Sequence, residues 1–175
     1  MPELIQPTTR LRSAWIESLN DWGRGVYQDG AGLRPTDEVE SGPGFAAWVE
    51  RLRREEDPAV PTAEGWVHCT YRWIVDGDEV LGAIALRHEL NDFLFNAGGH
   101  IGYGIRPAAR RRGLGSWALS QMLDEARRLG LHRVLLSCKV DNVASARIIE
   151  GQGGKLEDVR DTERGTLRCY WITLA

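Results

Sequence analysis

The stretch from Gly99 to Val140 constrains this chain most. It opens with "GHIGYGI", which reads as a strand, and turns at "RPAARRRGLG". Leu114, Ala118, Leu119, Met122, Leu123 and Ala126 then recur on one helical face, which Gly130 closes. "RVLLSCKV" follows, with the near-continuous apolar character of a strand buried on both sides. A strand, a helix and a strand in this order predict a parallel pair joined by a right-handed crossover.

The rest of the chain predicts antiparallel pairing and more helices. "WVHCTYRWIV" and "VLGAIALRH" flank "DGDE" as a hairpin, and "KLEDVR" and "TLRCYWITL" flank "DTERG" as another. A short helix is expected over about Val143–Glu150, stopped by "GQGG". Leu11, Ala14, Trp15, Leu19 and Trp22 recur at helical spacing, as do Phe45, Trp48, Val49 and Leu52 after the breaker run "SGPG". Loops "GRGVYQDGAGLRP" and "DPAVPTAEG" flank the second of these helices, and binding surfaces tend to form on such loops. The expected class is α/β (α+β): a mixed, mostly antiparallel sheet with one parallel strand pair and helices on both faces.

At 175 residues the chain suits a single domain, 1–175, with a real core. A net charge of −3 speaks against nucleic acid or a membrane surface as partner. No apolar run reaches membrane-spanning length, and "MPELIQPTTRLRS" has no apolar signal core. Cys69, Cys138 and Cys169 form neither a metal-ligand spacing nor a disulfide framework. No metal is expected, and a reduced, cytoplasmic setting is.

The densest positive charge, Arg110-Arg111-Arg112, stands at the mouth of the central helix, where the dipole repels cations. That placement makes sense when an anion sits there. Gly113 and Gly115 let a ligand approach the backbone, and free amides at a helix N-terminus bind phosphate. The two common phosphate fingerprints fail. There is no G-x-x-x-x-G-K-[ST], and "GYGIRP" meets Pro107 where a dinucleotide loop needs its third glycine.

Arg110-x-x-Gly113-x-Gly115 resembles the R/Q-x-x-G-x-G/A signature of the GNAT superfamily of N-acyltransferases. "DNVASARIIEGQGG", following a strand, is similar to that family's Asn-x-x-Ser-x-Arg helix and the glycine after it. The element order matches from about residue 10 to the C-terminus. The run "RHELNDFLFNAGGHIGYGIRPAARRRGLG" resembles a subgroup of predicted acetyltransferases defined by sequence rather than substrate. The resemblance implies a GNAT-like acyltransferase fold and acetyl-CoA as acyl donor. It implies that the backbone of Tyr103, Gly104 and Ile105 pairs with the pantetheine arm. The loop Arg111, Arg112, Gly113, Leu114, Gly115, Ser116 would hold the pyrophosphate. Asn142 would bond the pantetheine or the chain near it, and Ser145 would reach the cofactor or cap its helix.

Moving an acetyl group from a thioester to an amine needs a neutral amine, a polarised carbonyl and a stabilised thiolate. The family's common Tyr acid falls at Ile149, and its Glu base, when on the fifth strand, at Ser137. A thiolate, with a reference pKa near 8.5, leaves well without an acid. The base is the open place, and histidine suits it near neutral pH. His100 shares a strand face with Gly102 and Gly104, where missing side chains leave room for a substrate. His88 ends the second hairpin strand. Each is also readable as a histidine bonded to a loop backbone, His88 more so than His100. His68 is less supported, His132 reads as surface, and Tyr103 and Cys138 as core. Glu38, Glu40, Glu55, Glu56 and Asp57 would attract a cationic amine, or are solvated charge. The expected activity is N-acetyl transfer by direct attack of an amine on the thioester. The alternative is a non-catalytic acyl-CoA-binding module or sensor. The C-terminal "RCYWITLA" pairs across a homodimer or completes its own sheet in a monomer.

Overall fold

A computed structural model describes residues 1–174. Period-two alternation along the first hairpin decides the layering. Strands β2 (Cys69–Asp76) and β3 (Glu79–Arg87) pair antiparallel. Trp73, Val75, Ala83 and Ala85 point to one face, and Ile74, Ile84 and Leu86 to the other. Both faces therefore need helices. Helices α1 (Arg12–Trp22) and α2 (Gly42–Glu55) cover the first with Trp15, Leu19, Phe45, Trp48 and Leu52. Trp15 and Trp48 pack with ring centres 4.7 Å apart, and Trp73 closes the cluster from the sheet.

Helix α3 (Leu114–Arg128) covers the second face. Its periodic residues Ala118, Leu119, Met122, Leu123 and Ala126 are buried against Ile74, Ile84, Leu86 and Ile101. Burying each large apolar side chain contributes roughly 1.5–3 kcal/mol. Helix α4 (Val143–Gly151) adds Ala146 and Ile149 to the same core.

A short strand β1 (Glu3–Ile5), with three residues too short to carry an alternation, joins β2. Strand β4 (Ile101–Ile105) joins β3. The first sheet has the order β1-β2-β3-β4. Strands β5 (Arg133–Lys139), β6 (Lys155–Thr162) and β7 (Gly165–Thr173) make a second antiparallel sheet, β5-β7-β6. The C-terminal strand thus lies between two strands of its own chain. "SGPG" starts α2 instead of preceding it: Ser41 Oγ accepts the Gly44 N–H at 3.1 Å, and Pro43 sits in the first turn, where its missing N–H costs nothing.

The mixed class with helices on both faces holds, but the parallel pair does not form as a ladder. Among the described residues β4 and β5 belong to separate sheets. They touch where His100 N–H donates to the Leu135 carbonyl at 2.7 Å. Past that point each strand pairs on its far side only, and backbone groups of both face a gap. Among the described residues no helix is long and apolar enough to cross a membrane.

Candidate active site

The gap between β4 and β5 is a cavity of about 740 Å³. One wall is Gly102, Tyr103, Gly104 and Ile105, and the other is Ser137, Cys138 and Lys139. At one end stands the entry to α3. At the other stand Tyr27, Asp29 and Arg164.

The α3 entry is shaped for an anion. Gly113 is left-handed at φ 75°, and no side chain caps the helix. Its first-turn amides have no intrahelical acceptors, and their residues, Leu114 to Ser116, line the cavity. Arg111, at φ 62°, is the one non-glycine residue with positive φ among the described residues. A left-handed residue followed by a right-handed one, as Gly113 and Leu114 are, turns successive N–H groups to one side as an anion-binding nest. A strained arginine at such a place is a sign of function. The loop is fixed from behind. Asp21 accepts the Ala108 N–H and the Arg106 guanidinium, each at 2.9 Å. Those two bonds hold its carboxyl below the ordinary range, the Ala108 bond most. Arg110 turns inward, donating to the Ile105 carbonyl at 3.0 Å and lying over the Trp22 ring.

Tyr103, Gly104, Ile105, Arg111, Gly113, Leu114, Gly115, Ser116, Asn142 and Ser145 all line the cavity. Arg112 does not line it. Gly115 also serves packing, because a Cβ there would press on Ile148 at 3.0 Å. Asn142 caps α4, accepting the Ser145 N–H at 3.1 Å. Ser145 Oγ is thereby free of capping and lies 2.9 Å from the Tyr103 hydroxyl. Tyr103 is therefore not sealed in the core: it carries a polar tip into the cavity. Burial pushes its phenol up to about 12, so the hydroxyl stays protonated near neutral pH.

The histidines lie elsewhere. His100 is 5% exposed and off the cavity lining. Its Nδ1 accepts the Leu135 N–H at 2.9 Å. Burial, with Arg87 and Arg133 adding to it, pushes its pKa down to about 4. Its backbone still pairs with β3, taking the Arg87 N–H at 2.7 Å, but its ring turns sideways onto Leu135 of β5 and away from the cavity. His88 bonds Thr70 Oγ1 at 2.8 Å, and His68 bonds the Val60 carbonyl at 2.7 Å, both away from the cavity. His132 is exposed. Ser137 donates to the Ala97 carbonyl, and Ile149 is core at 1% exposure. Cys138 reaches the lining, but burial raises its thiol pKa. The room beside Gly102 and Gly104 is filled by the chain's own segment around Asp29.

The five acidic residues expected to draw an amine do not face the cavity. Glu38 accepts from Ser41, and Glu40 pairs with Arg24. Glu55 pairs with Arg34 and Arg51, and Glu56 with Arg72. Asp57 caps a turn at Ala59. Among the described residues the acid that does face it is Asp29, from the first Gly-rich loop. Burial raises its pKa, against the opposing pull of Arg87 and Arg164.

Comparison with known families decides what this arrangement belongs to. Residues 26–155 match the model of the Acetyltransferase (GNAT) domain. The chain belongs to the GNAT acetyltransferase family. Solved GNAT structures share its fold. An acetyl transferase from Salmonella typhimurium, which modifies the N-terminal serine of a 50S ribosomal subunit protein, superposes with TM-score 0.68 at 17% identity. That match covers 99% of this chain and 95% of the other. The ribosomal-protein alpha-N-acetyltransferase RimL, in complex with coenzyme A, gives TM-score 0.71 at 18% identity over 99% and 94% of the two chains. The microcin C7 self-immunity acetyltransferase MccE, in complex with acetyl-CoA and AMP, gives 0.70 at 15% identity over 98% and 92%. No curated protein matches the sequence.

Proposed function

We propose that residues 1–175 form a single domain that transfers the acetyl group of acetyl-CoA to an amine by direct attack on the thioester. The observation that carries this reading is the helix entry with left-handed Arg111 and Gly113, opening onto the gap between β4 and β5. A diphosphate fits the amides of Gly113 to Ser116, with Arg111 beside it. From there the unpaired β4 backbone at Tyr103 to Ile105 offers amide partners to an extended amide-bearing arm. Solved relatives hold coenzyme A or acetyl-CoA.

The chemistry runs at the middle of the gap. The amine nitrogen forms a bond to the acetyl carbon, and the carbon–sulfur bond breaks. The departing sulfur takes a proton from the Ser145 hydroxyl, which Tyr103 and solvent replenish. This pair stands in for the tyrosine that Ile149 displaces. Direct transfer leaves Cys138 without a covalent role.

A non-catalytic acyl-CoA-binding module is the second reading. Ile149 in the core and Ser137 tied to Ala97 favour it. Both readings share the donor site, which calorimetric titration with acetyl-CoA tests. A Cβ at Gly113 meets nothing within 4 Å, so Gly113→Asp keeps the fold while setting a carboxylate against the diphosphate. Affinity should fall at least about a hundredfold, roughly 2.7 kcal/mol. Gly113→Asn, of the same size without the charge, should lose much less. Equal affinity of wild type and Gly113→Asp would sink the site.

A further inference from the structure

We propose that the end of the cavity away from α3 is an acceptor subsite for an amine that also bears an acid group. Asp29 takes the amine and its proton, and Arg164 takes the anion. This rests on the transferase reading above.

Three glycines place the Asp29 carboxylate. Gly30 is left-handed at φ 81°, and a Cβ there would lie 2.6 Å from the Gly102 carbonyl and 2.9 Å from that of Ala83. A Cβ on Gly102 would collide with Asp29 Oδ1, and one on Gly104 would meet the Asp29 carbonyl at 2.9 Å. The loop is thus pressed flat on β3 and β4, and its acid projects into the cavity. Arg87 stands behind it, with Nη1 3.3 Å from the same Gly102 Cβ position. Arg87 donates to the Gly98 carbonyl instead of closing an ion pair with Asp29. Among the described residues the Asp29 carboxylate is in no ion pair, whereas Glu40, Glu55 and Glu56 are each paired.

Arg164 comes from the turn between β6 and β7. Its guanidinium lies 4.9 Å from the centre of the Tyr27 ring and lines the cavity. It too is in no ion pair among the described residues. Arg87 offsets Asp29, so Arg164 is the uncompensated charge of this end. The reacting amine must be neutral. An acceptor with a neutral amine and one acid group cancels that charge, whereas a polyamine adds to it. A guanidinium accepts a carboxylate or a phosphate in the same bidentate way. During transfer the nitrogen bonds to the acetyl carbon, sulfur leaves with its electron pair, and the proton lost by nitrogen goes to an Asp29 oxygen. Burial, which raises the Asp29 pKa, makes it a better acceptor of that proton.

The test measures acetyl-CoA binding first, then thiol release with an ω-amino carboxylate, an aminoalkyl phosphate, an alkylamine and an alkyldiamine of matched length. The acid-bearing amines should show a kcat/KM at least about tenfold higher, and the better of the two names the anion. Arg164→Gln should erase that preference by raising their KM. Asp29→Asn, which keeps shape, should lower kcat about a hundredfold or more with acetyl-CoA affinity intact. The inference is overturned by an equal or better alkylamine, by a preference that survives Arg164→Gln, or by native kcat in Asp29→Asn. It is also overturned if acetyl-CoA binds and no amine in the series reacts. Failure of acetyl-CoA to bind would overturn the transferase reading as well.

Discussion

His100 and Leu135 exchange two hydrogen bonds across the seam between the sheets. The His100 N–H donates to the Leu135 carbonyl at 2.7 Å, and His100 Nδ1 accepts the Leu135 N–H at 2.9 Å. A protonated imidazole cannot accept at Nδ1, so charging this histidine breaks the seam. Its function is to hold β4 against β5 where the cavity begins.

That pair makes stability fall with acid. The folded pKa, about 4, lies below the ordinary histidine value of 6.5. Between these values the unfolded chain binds the extra proton, so the stabilisation is complete above pH 6.5 and drains away as pH falls toward 4. The loss is about 3 kcal/mol over that window. Urea unfolding of wild type and His100→Gln at pH 7 and pH 4.5 measures it. The variant should be less stable at pH 7 and show a much flatter dependence. An equal slope in both would assign the acid sensitivity to other groups.

The Tyr103–Ser145 pair should act as one unit. Ser145→Ala and Tyr103→Phe should each lower kcat about tenfold or more, with a smaller effect on KM for acetyl-CoA. The double variant should lose little beyond the worse single one, because groups in direct contact are not additive. Stopped assays with a reactive amine give the cycle. Fully multiplicative losses would separate the two hydroxyls.

Much of this site is readable in the sequence, and the rest is hidden for identifiable reasons. Amphipathic spacing marks α3, and the apolar run marks β5, because both are strongly periodic. The Arg-Gly turn between strand and helix then points to the loop at the α3 entry, and all its expected residues but Arg112 line the cavity. The parting of β4 and β5 has no periodic signal, since it consists of hydrogen bonds not made. His100 stays off the cavity because its ring bonds the Leu135 N–H of the neighbouring strand, a cross-strand contact that alternation does not show. Asp29 lies in an irregular loop. Its only sequence trace is "QDGAG", an acid next to glycines that press the backbone onto the sheet.

Gly30 and Gly113 are both left-handed, but they should respond differently to Ala. A Cβ at Gly30 runs into two carbonyls, whereas one at Gly113 meets open space. Gly113→Ala should cost only the conformational term, about 1–2 kcal/mol. Gly30→Ala adds a backbone collision and should cost more, roughly 2–4 kcal/mol. It should also displace Asp29 and so slow turnover. Denaturant melts of the two variants rank them. Equal costs would mean that the loop does not press on β4.

Arg111 and Arg112 should separate in donor binding. Only Arg111 lines the cavity. Acetyl-CoA affinity should weaken with salt, and Arg111→Ala should reduce both the affinity and that salt slope. Arg112→Ala should reduce them far less. Arg111→Gly, which relieves the φ of 62°, should gain stability while losing affinity. Titrations at low and high salt provide the comparison. Identical slopes in wild type and Arg111→Ala would remove Arg111 from the diphosphate site.

The most direct measurement follows free thiol and acetylated amine together. The purified chain is incubated with acetyl-CoA and an amino-acid-like amine, and the two products are quantified by thiol titration and mass spectrometry. The expected result is one acetylated amine for each thiol released, at a rate that depends on the amine and falls in Asp29→Asn. Acetyl-CoA that binds at the α3 entry yet yields thiol at the same slow rate with and without amine would contradict the transferase and leave a binding module.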